Sequence, residues 1–144
     1  MQGGQFQFKL DKTNLIKAGT IPVIAAAIGG ALWLLGILGG LVGILFWAVA
    51  AFAGYWYVKL VLAQAVKPTI VDVAINGAIL GAVVGLVYGV VSLIAISIRF
   101  SGLFGFGFTY GIGDVIGDLI RGGVGGAVGA AGWFAYKSGM IKTS

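Results

Sequence analysis

The chain contains no Cys, no His and no Glu, and its only carboxylates are Asp11, Asp72, Asp114 and Asp118. Without Cys there is no disulfide and no thiolate nucleophile. Without His there is no imidazole base, and zinc and haem lose their usual ligands. A hydrolase would have to run on Asp, Ser, Lys and Tyr alone. The expectation is a protein that is not an enzyme, with no cofactor and no metal. Charge of either sign is scarce: 9% of residues against about 25% in soluble domains. Proline occurs only as Pro22 and Pro68.

What fills the chain is apolar surface and glycine. Sixty per cent of the 144 residues are hydrophobic, 27 are Gly, and the mean hydropathy is +1.09. Surface-to-volume scaling prevents a soluble domain of this size from hiding so much apolar area. The composition therefore implies an integral membrane protein.

Residues 1–19 are the most polar stretch. Gln5-Phe6-Gln7-Phe8-Lys9-Leu10-Asp11 alternates with period two, as an extended or interfacial segment would. The long apolar run that follows does not fit a cleavable signal peptide. Residues 20–144 read as a four-helix transmembrane domain. Gly19 reads as a break, Thr20 as an N-cap and Pro22 as a first-turn residue.

No charge occurs from Ile21 to Val58, a run of 38 residues. One straight helix of that length would measure about 57 Å, against a hydrocarbon core of about 30 Å. The run must fold back, and the glycines of Gly36–Gly43 mark the turn. This gives spans at 21–38 and 41–62. After Lys67 and Pro68, Thr69-Ile70-Val71-Asp72 fits a capping box that opens a third span, 70–98. Arg99 closes it. A Gly-aromatic loop follows, and Asp114 caps a fourth span, 115–136. The fold class is all-α: a polytopic membrane protein of four helices, arranged as two hairpins.

The charges give an orientation. Four spans place both termini on one side, together with all seven Lys, Asp11 and Asp72. That side carries the whole formal net charge of +5. Arg99, Arg121, Asp114 and Asp118 cancel on the other. The positive-inside rule puts both termini in the cytoplasm. The basic pI of 9.7 then reflects orientation and attraction to anionic lipid. No basic patch for nucleic acid is present.

Glycine recurs every four residues at Gly77, Gly81, Gly85 and Gly89. A second stripe runs through Gly113, Gly117, Gly125 and Gly129, with Arg121 in register and Gly122 and Gly126 beside it. Such small-residue stripes let helix backbones approach closely in lipid. They serve either packing within the chain or an interface between copies or with other membrane subunits. Asp114, Asp118 and Arg121 fall on one helical face. Asp118 and Arg121 suit an i, i+3 pair, and an ion or proton path is the alternative use. Asp72 and Asn76 also share a face, and Asn76 suits a bond to a neighbouring helix.

Thr109-Tyr110-Gly111-Ile112-Gly113-Asp114 resembles the potassium-channel selectivity filter, whose backbone carbonyls replace the hydration shell of the ion. That resemblance implies an ion path through Thr109, Gly111, Gly113 and Asp114, continued by Asp118 and Arg121. Ile112 departs from it by replacing the aromatic, and no pore helix precedes it. Ala53-Gly54-Tyr55-Trp56-Tyr57-Val58-Lys59 and Ala131-Gly132-Trp133-Phe134-Ala135-Tyr136-Lys137 form a faint repeat of a small pair, an aromatic cluster and Lys. Over the whole chain, the first of these strings, Lys67-Pro68-Thr69 and the run Gly77–Gly85 resemble uncharacterised small Gly-rich four-helix membrane proteins of archaea and bacteria. That resemblance implies no activity. The reading favoured is a structural or accessory membrane protein that assembles through glycine faces. The alternatives are a small cation channel and a lipid-associated viral coat or envelope protein.

Overall fold

The computed structural model describes residues 10–34, 39–63, 68–100 and 112–139. Among them are four α-helices: α1 (Lys12–Ala31), α2 (Gly39–Leu62), α3 (Ile70–Phe100) and α4 (Ile112–Lys137). A single 3-10 turn, Leu32–Leu34, extends α1. The fold is all-helical. Lys12–Ala31, Gly43–Leu62 and Ile70–Ile98 are each long and apolar enough to cross a membrane. α4 is not among these, because its glycines, Asp114, Asp118 and Arg121 dilute its apolar content.

The first helix starts eight residues before the expected Thr20 cap. Asp11 is the cap instead: its Oδ1 accepts from the Asn14 amide at 3.2 Å, and its Oδ2 accepts from Asn14 Nδ2 at 2.7 Å. Gly19 does not break the helix, since Leu80 of α3 packs over it. The Thr20 hydroxyl donates to the Ile16 carbonyl at 2.8 Å, a mid-helix bond and not a cap. Pro22 therefore lies deep inside α1 and is fully buried. The same helix ends at Ala31, short of Leu38. Gly39, Gly40 and Gly43, expected in the turn, belong to α2, while Gly36 lies outside the described residues.

α3 opens as the capping box requires. The Asp72 amide donates to Thr69 Oγ1 at 3.2 Å, and the Thr69 hydroxyl donates to Asp72 Oδ2 at 2.9 Å. The helix continues two residues beyond Ile98. α4 begins at Ile112, so Asp114 sits in its first turn and does not cap it. A carboxylate there still opposes the positive end of the helix dipole.

Helix directions follow from paired contacts. Gly19 meets Leu80 and Gly30 meets Ser92, so α1 and α3 run in parallel. Gly77 meets Gly126, Gly81 meets Gly122 and Gly85 meets Asp118, so α3 and α4 are antiparallel. Gly125 meets Ala50 and Gly129 meets Ala51, which sets α2 parallel to α4. One end of the bundle thus gathers the N-termini of α1 and α3 and the C-termini of α2 and α4.

The interior mixes small and polar residues with large apolar ones. Ala18, Ala26, Ala50, Ala53 and Ala130 are buried, and so are Asn14, Asn76, Ser92 and Asp118. Around them pack Tyr57, Val58, Val73, Leu80, Val84, Ile96 and Phe134, and the stacked pair Phe46–Tyr88 at 4.6 Å between ring centroids. The outside is aliphatic as well. Ile16, Ile44, Ile98 and Val128 are each more than 60% exposed. A soluble bundle turns most such side chains inward.

Candidate functional site

The closest seam lies between α3 and α4. Gly77, Gly81 and Gly85 face the backbone of Gly126, Gly122 and Asp118. A Cβ added at Gly81 would overlap the Gly122 carbonyl oxygen and stand 2.9 Å from the Gly126 Cα. The seam is reciprocal, since a Cβ at Gly122 or Gly126 would overlap the Gly81 or Gly77 carbonyl. Gly89, one turn further on, would bring a Cβ to 3.1 Å from the Val115 Cα. Backbones meet here without side chains between them.

The stripe read along α4 divides between two surroundings, and neither is α3. Gly125 and Gly129 turn to α2, where a Cβ would stand 3.0 Å from the Ala50 Cβ and 2.8 Å from the Ala51 Cα respectively. Gly113 and Gly117 have nothing within 4 Å of a Cβ position. The contact with α3 belongs to Gly122 and Gly126, the pair beside the stripe. Successive residues turn by about 100°, so these two lie on a face distinct from Gly125 and Gly129. Gly54 of α2 completes the arrangement: a Cβ there would lie 2.6 Å from the Ala130 amide nitrogen and overlap the Gly126 carbonyl. Its sequence signal is the small pair Ala53-Gly54 that opens the aromatic repeat.

Asp118 is buried where the α3–α4 seam passes Gly85. Its Oδ1 pairs with Arg121 Nη1 at 3.5 Å, and the Arg121 side chain is 63% exposed. Asp114 is exposed at the helix start. The i, i+3 pair thus forms, with one member inside and the other reaching outward. Thr109 and Gly111 lie outside the described residues. Ile112, Gly113 and Asp114 form the first turn of α4, so their carbonyls point along the helix axis. A filter needs them turned inward as a ring of ligands. Among the described residues no group of three or more potential metal-binding side chains comes together.

The chain matches no family model, no curated protein and no solved structure.

A second constellation closes the end where α1 and α3 begin. The Asp11 amide donates to Asn76 Oδ1 at 3.1 Å, and Asn76 Nδ2 donates to the Asp72 carbonyl at 2.8 Å. The buried Tyr57 phenol of α2 lies against the Asp11 carboxylate. Three helices are therefore tied by one polar knot. The bond from Asn76 to another helix was legible in its position on the α3 face. Asp11, Asn14 and Tyr57 were not, because Asp11 and Asn14 fell in a segment read as non-helical.

An aromatic collar surrounds the same end. Tyr55 meets Trp133 edge-on at 4.8 Å, Trp133 meets Tyr136 at 5.4 Å, and Phe52 meets Trp56 at 5.3 Å. Lys59 caps Trp56 at 5.9 Å and Lys137 caps Trp133 at 5.1 Å from the ring centroids. The two ends of the faint repeat are thus neighbours in space.

Proposed function

We propose that this chain is a structural or accessory integral membrane protein, with all four helices in the bilayer, that assembles with copies of itself. The observation that carries the reading is the inverted amphipathicity of α4. Its outward face is Ile112, Ile116, Ile120, Val124 and Val128, each more than half exposed. Its inward face carries Asp118, Gly122, Gly125 and Gly126 in the middle of the helix, with Val115 and Phe134 towards its ends. Water would favour the reverse arrangement, and lipid favours this one. The modest overall apolarity of α4 is no obstacle, because Gly122, Gly125, Gly126, Gly129 and Asp118 are turned towards the other helices.

The collar supports an orientation. Trp56, Trp133, Tyr136, Lys59 and Lys137 occupy one end of the bundle, as residues at a membrane–water boundary do. Lys12 and Lys17 begin α1 at that end. The positive-inside rule assigns this end, and both termini with it, to the cytoplasm.

Assembly is supported by small residues that the single chain leaves unused. Among the described residues, nothing comes within 4 Å of a Cβ position at Gly113 or Gly117. On the outside of the α3–α4 seam, Ala78, Ala82, Gly123 and Ala127 line a shallow apolar groove. Both features fit a neighbouring helix at close range. Native mass spectrometry in mild detergent tests this reading. The wild type should run as an oligomer, and Gly117→Leu, at a position where a Cβ meets no described residue within 4 Å, should reduce it to a monomer with unchanged helicity. A monomeric wild type, or an oligomer unaffected by Gly117→Leu, refutes assembly. Release of the protein from membranes by alkaline carbonate refutes the bilayer reading.

A further inference from the structure

A second groove, of about 420 Å³, runs between α1 and α3 on the outside of the bundle. Leu15, Gly19 and Val23 line its α1 wall, and Ile79, Leu80 and Val83 its α3 wall. Lys12 stands at one end, and no carboxylate lines the groove. The nearest in sequence, Asp11, is turned inward and engaged by Asn14. Lys12 itself makes no ion pair among the described residues. The only hydroxyl in the wall, that of Thr20, is committed to the Ile16 carbonyl.

The groove has the proportions of one bilayer leaflet. From Lys12 to Val23 the helix rises about 16 Å at ~1.5 Å per residue. Half of a ~30 Å hydrocarbon core is about 15 Å. Lys12 lies at the same end of the bundle as the Trp–Lys collar, so the groove begins at headgroup level and descends towards the bilayer midplane. At its floor α1 and α3 meet closely, with Leu80 within 2.8 Å of where a Cβ of Gly19 would stand.

We propose that this groove holds one acyl chain of an anionic phospholipid from the surrounding leaflet, with its phosphate on Lys12. The inference rests on the bilayer reading above. An ammonium with no ion pair among the described residues, at the mouth of a groove lined by apolar side chains, selects a negative headgroup, and a zwitterionic lipid gains less from the same contact. The groove walls select only for an acyl chain, so specificity resides in Lys12.

The test is retention of added lipid by the purified full-length protein in mild detergent, read by native mass spectrometry. Phosphatidylglycerol and phosphatidylcholine with identical chains are compared at equal concentration. Wild type should keep one phosphatidylglycerol per chain and lose phosphatidylcholine. Lys12→Gln should reduce phosphatidylglycerol retention about tenfold and abolish the preference. Val83→Trp, at a 44% exposed position in the groove wall, should displace phosphatidylglycerol while leaving helicity unchanged. Equal retention of the two lipids by wild type, or phosphatidylglycerol retention unchanged in both variants, overturns the proposal. Those results leave the bilayer reading standing. Only release of wild type by alkaline carbonate removes that reading, and this proposal falls with it.

Discussion

The α3–α4 seam predicts opposite outcomes for one chemical change at two glycines. Gly81→Ala places a methyl group against the Gly122 carbonyl, 2.8 Å from its carbon and 2.9 Å from the Gly126 Cα. Carbon atoms in contact settle at about 3.5–4.0 Å. Relief therefore requires the backbones to separate by at least about 0.7 Å for the carbon contacts, and by more for the Gly122 oxygen. No side-chain rotation can help, because every obstructing atom is backbone. Separation also loosens the neighbouring contacts at Gly77 and Gly85. Overpacking of this kind costs about 1–3 kcal/mol, and the rigidity of the seam places Gly81→Ala at the upper end. Against it stands the helix preference of Ala over Gly, about 1 kcal/mol. The net expectation is a loss of about 1–2 kcal/mol. Gly117→Ala meets nothing within 4 Å, so only the helix preference acts and the monomer gains up to about 1 kcal/mol. The assay is reversible unfolding in mixed micelles, with increasing denaturing detergent and far-ultraviolet circular dichroism as the readout. The two variants should differ by about 2–3 kcal/mol, with wild type between them. If Gly81→Ala is as stable as wild type, the backbone-to-backbone seam described here does not exist.

Three further outcomes follow from single contacts. Asn76→Leu removes the acceptor of the Asp11 amide and a donor to the Asp72 carbonyl, at a cost of about 1–3 kcal/mol. Amide exchange at the start of α1 should accelerate, and unchanged exchange there would show that the knot does not hold α1. Thr69→Ala breaks the capping box for about 1 kcal/mol, with protection lost in the first turn of α3 and nowhere else. Global loss of protection would contradict a local role. Tyr88→Leu forfeits the stack on Phe46, worth about 0.5–1.5 kcal/mol beyond the area it buries. The same detergent titration measures it, and a stability equal to wild type would refute a structural role for the pair.

Four helices, three of them apolar enough to cross a membrane, and the capping box at Thr69 were legible in the sequence because each depends on neighbours along the chain. The start of α1 was misread because Gly19 and Thr20 have two possible meanings. In water, Gly followed by Thr reads as a stop and a new cap. Here Leu80 fills the place of the missing side chain and Thr20 bonds back to Ile16, so the helix continues through both. The true cap, Asp11, lacked the Glu or Gln three residues on that marks a capping box, and Asn14 stands there instead. In α4 the glycine content was plain but its allocation was not. Which of Gly122, Gly125, Gly126 and Gly129 meets α3 and which meets α2 depends on where those helices stand. No periodicity within α4 records that. The pairing of Asp118 with Arg121 was readable because it spans only three residues of one helix.

A helix seam whose contacts are largely backbone has a consequence for how the protein tolerates sequence change. In a soluble bundle the surface varies freely and the interior accepts isosteric exchange among Leu, Ile, Met and Phe. At the α3–α4 seam no exchange is available, because Gly77, Gly81, Gly122 and Gly126 are already the smallest residue. The outward positions, such as Ile116, Ile120, Val124 and Val128, need only remain apolar. Substitutions should therefore accumulate as swaps among aliphatic residues on the outside, while the seam glycines stay fixed. Two such proteins of the same shape would share few large side chains, and their kinship would be carried by the spacing of residues that have no side chain.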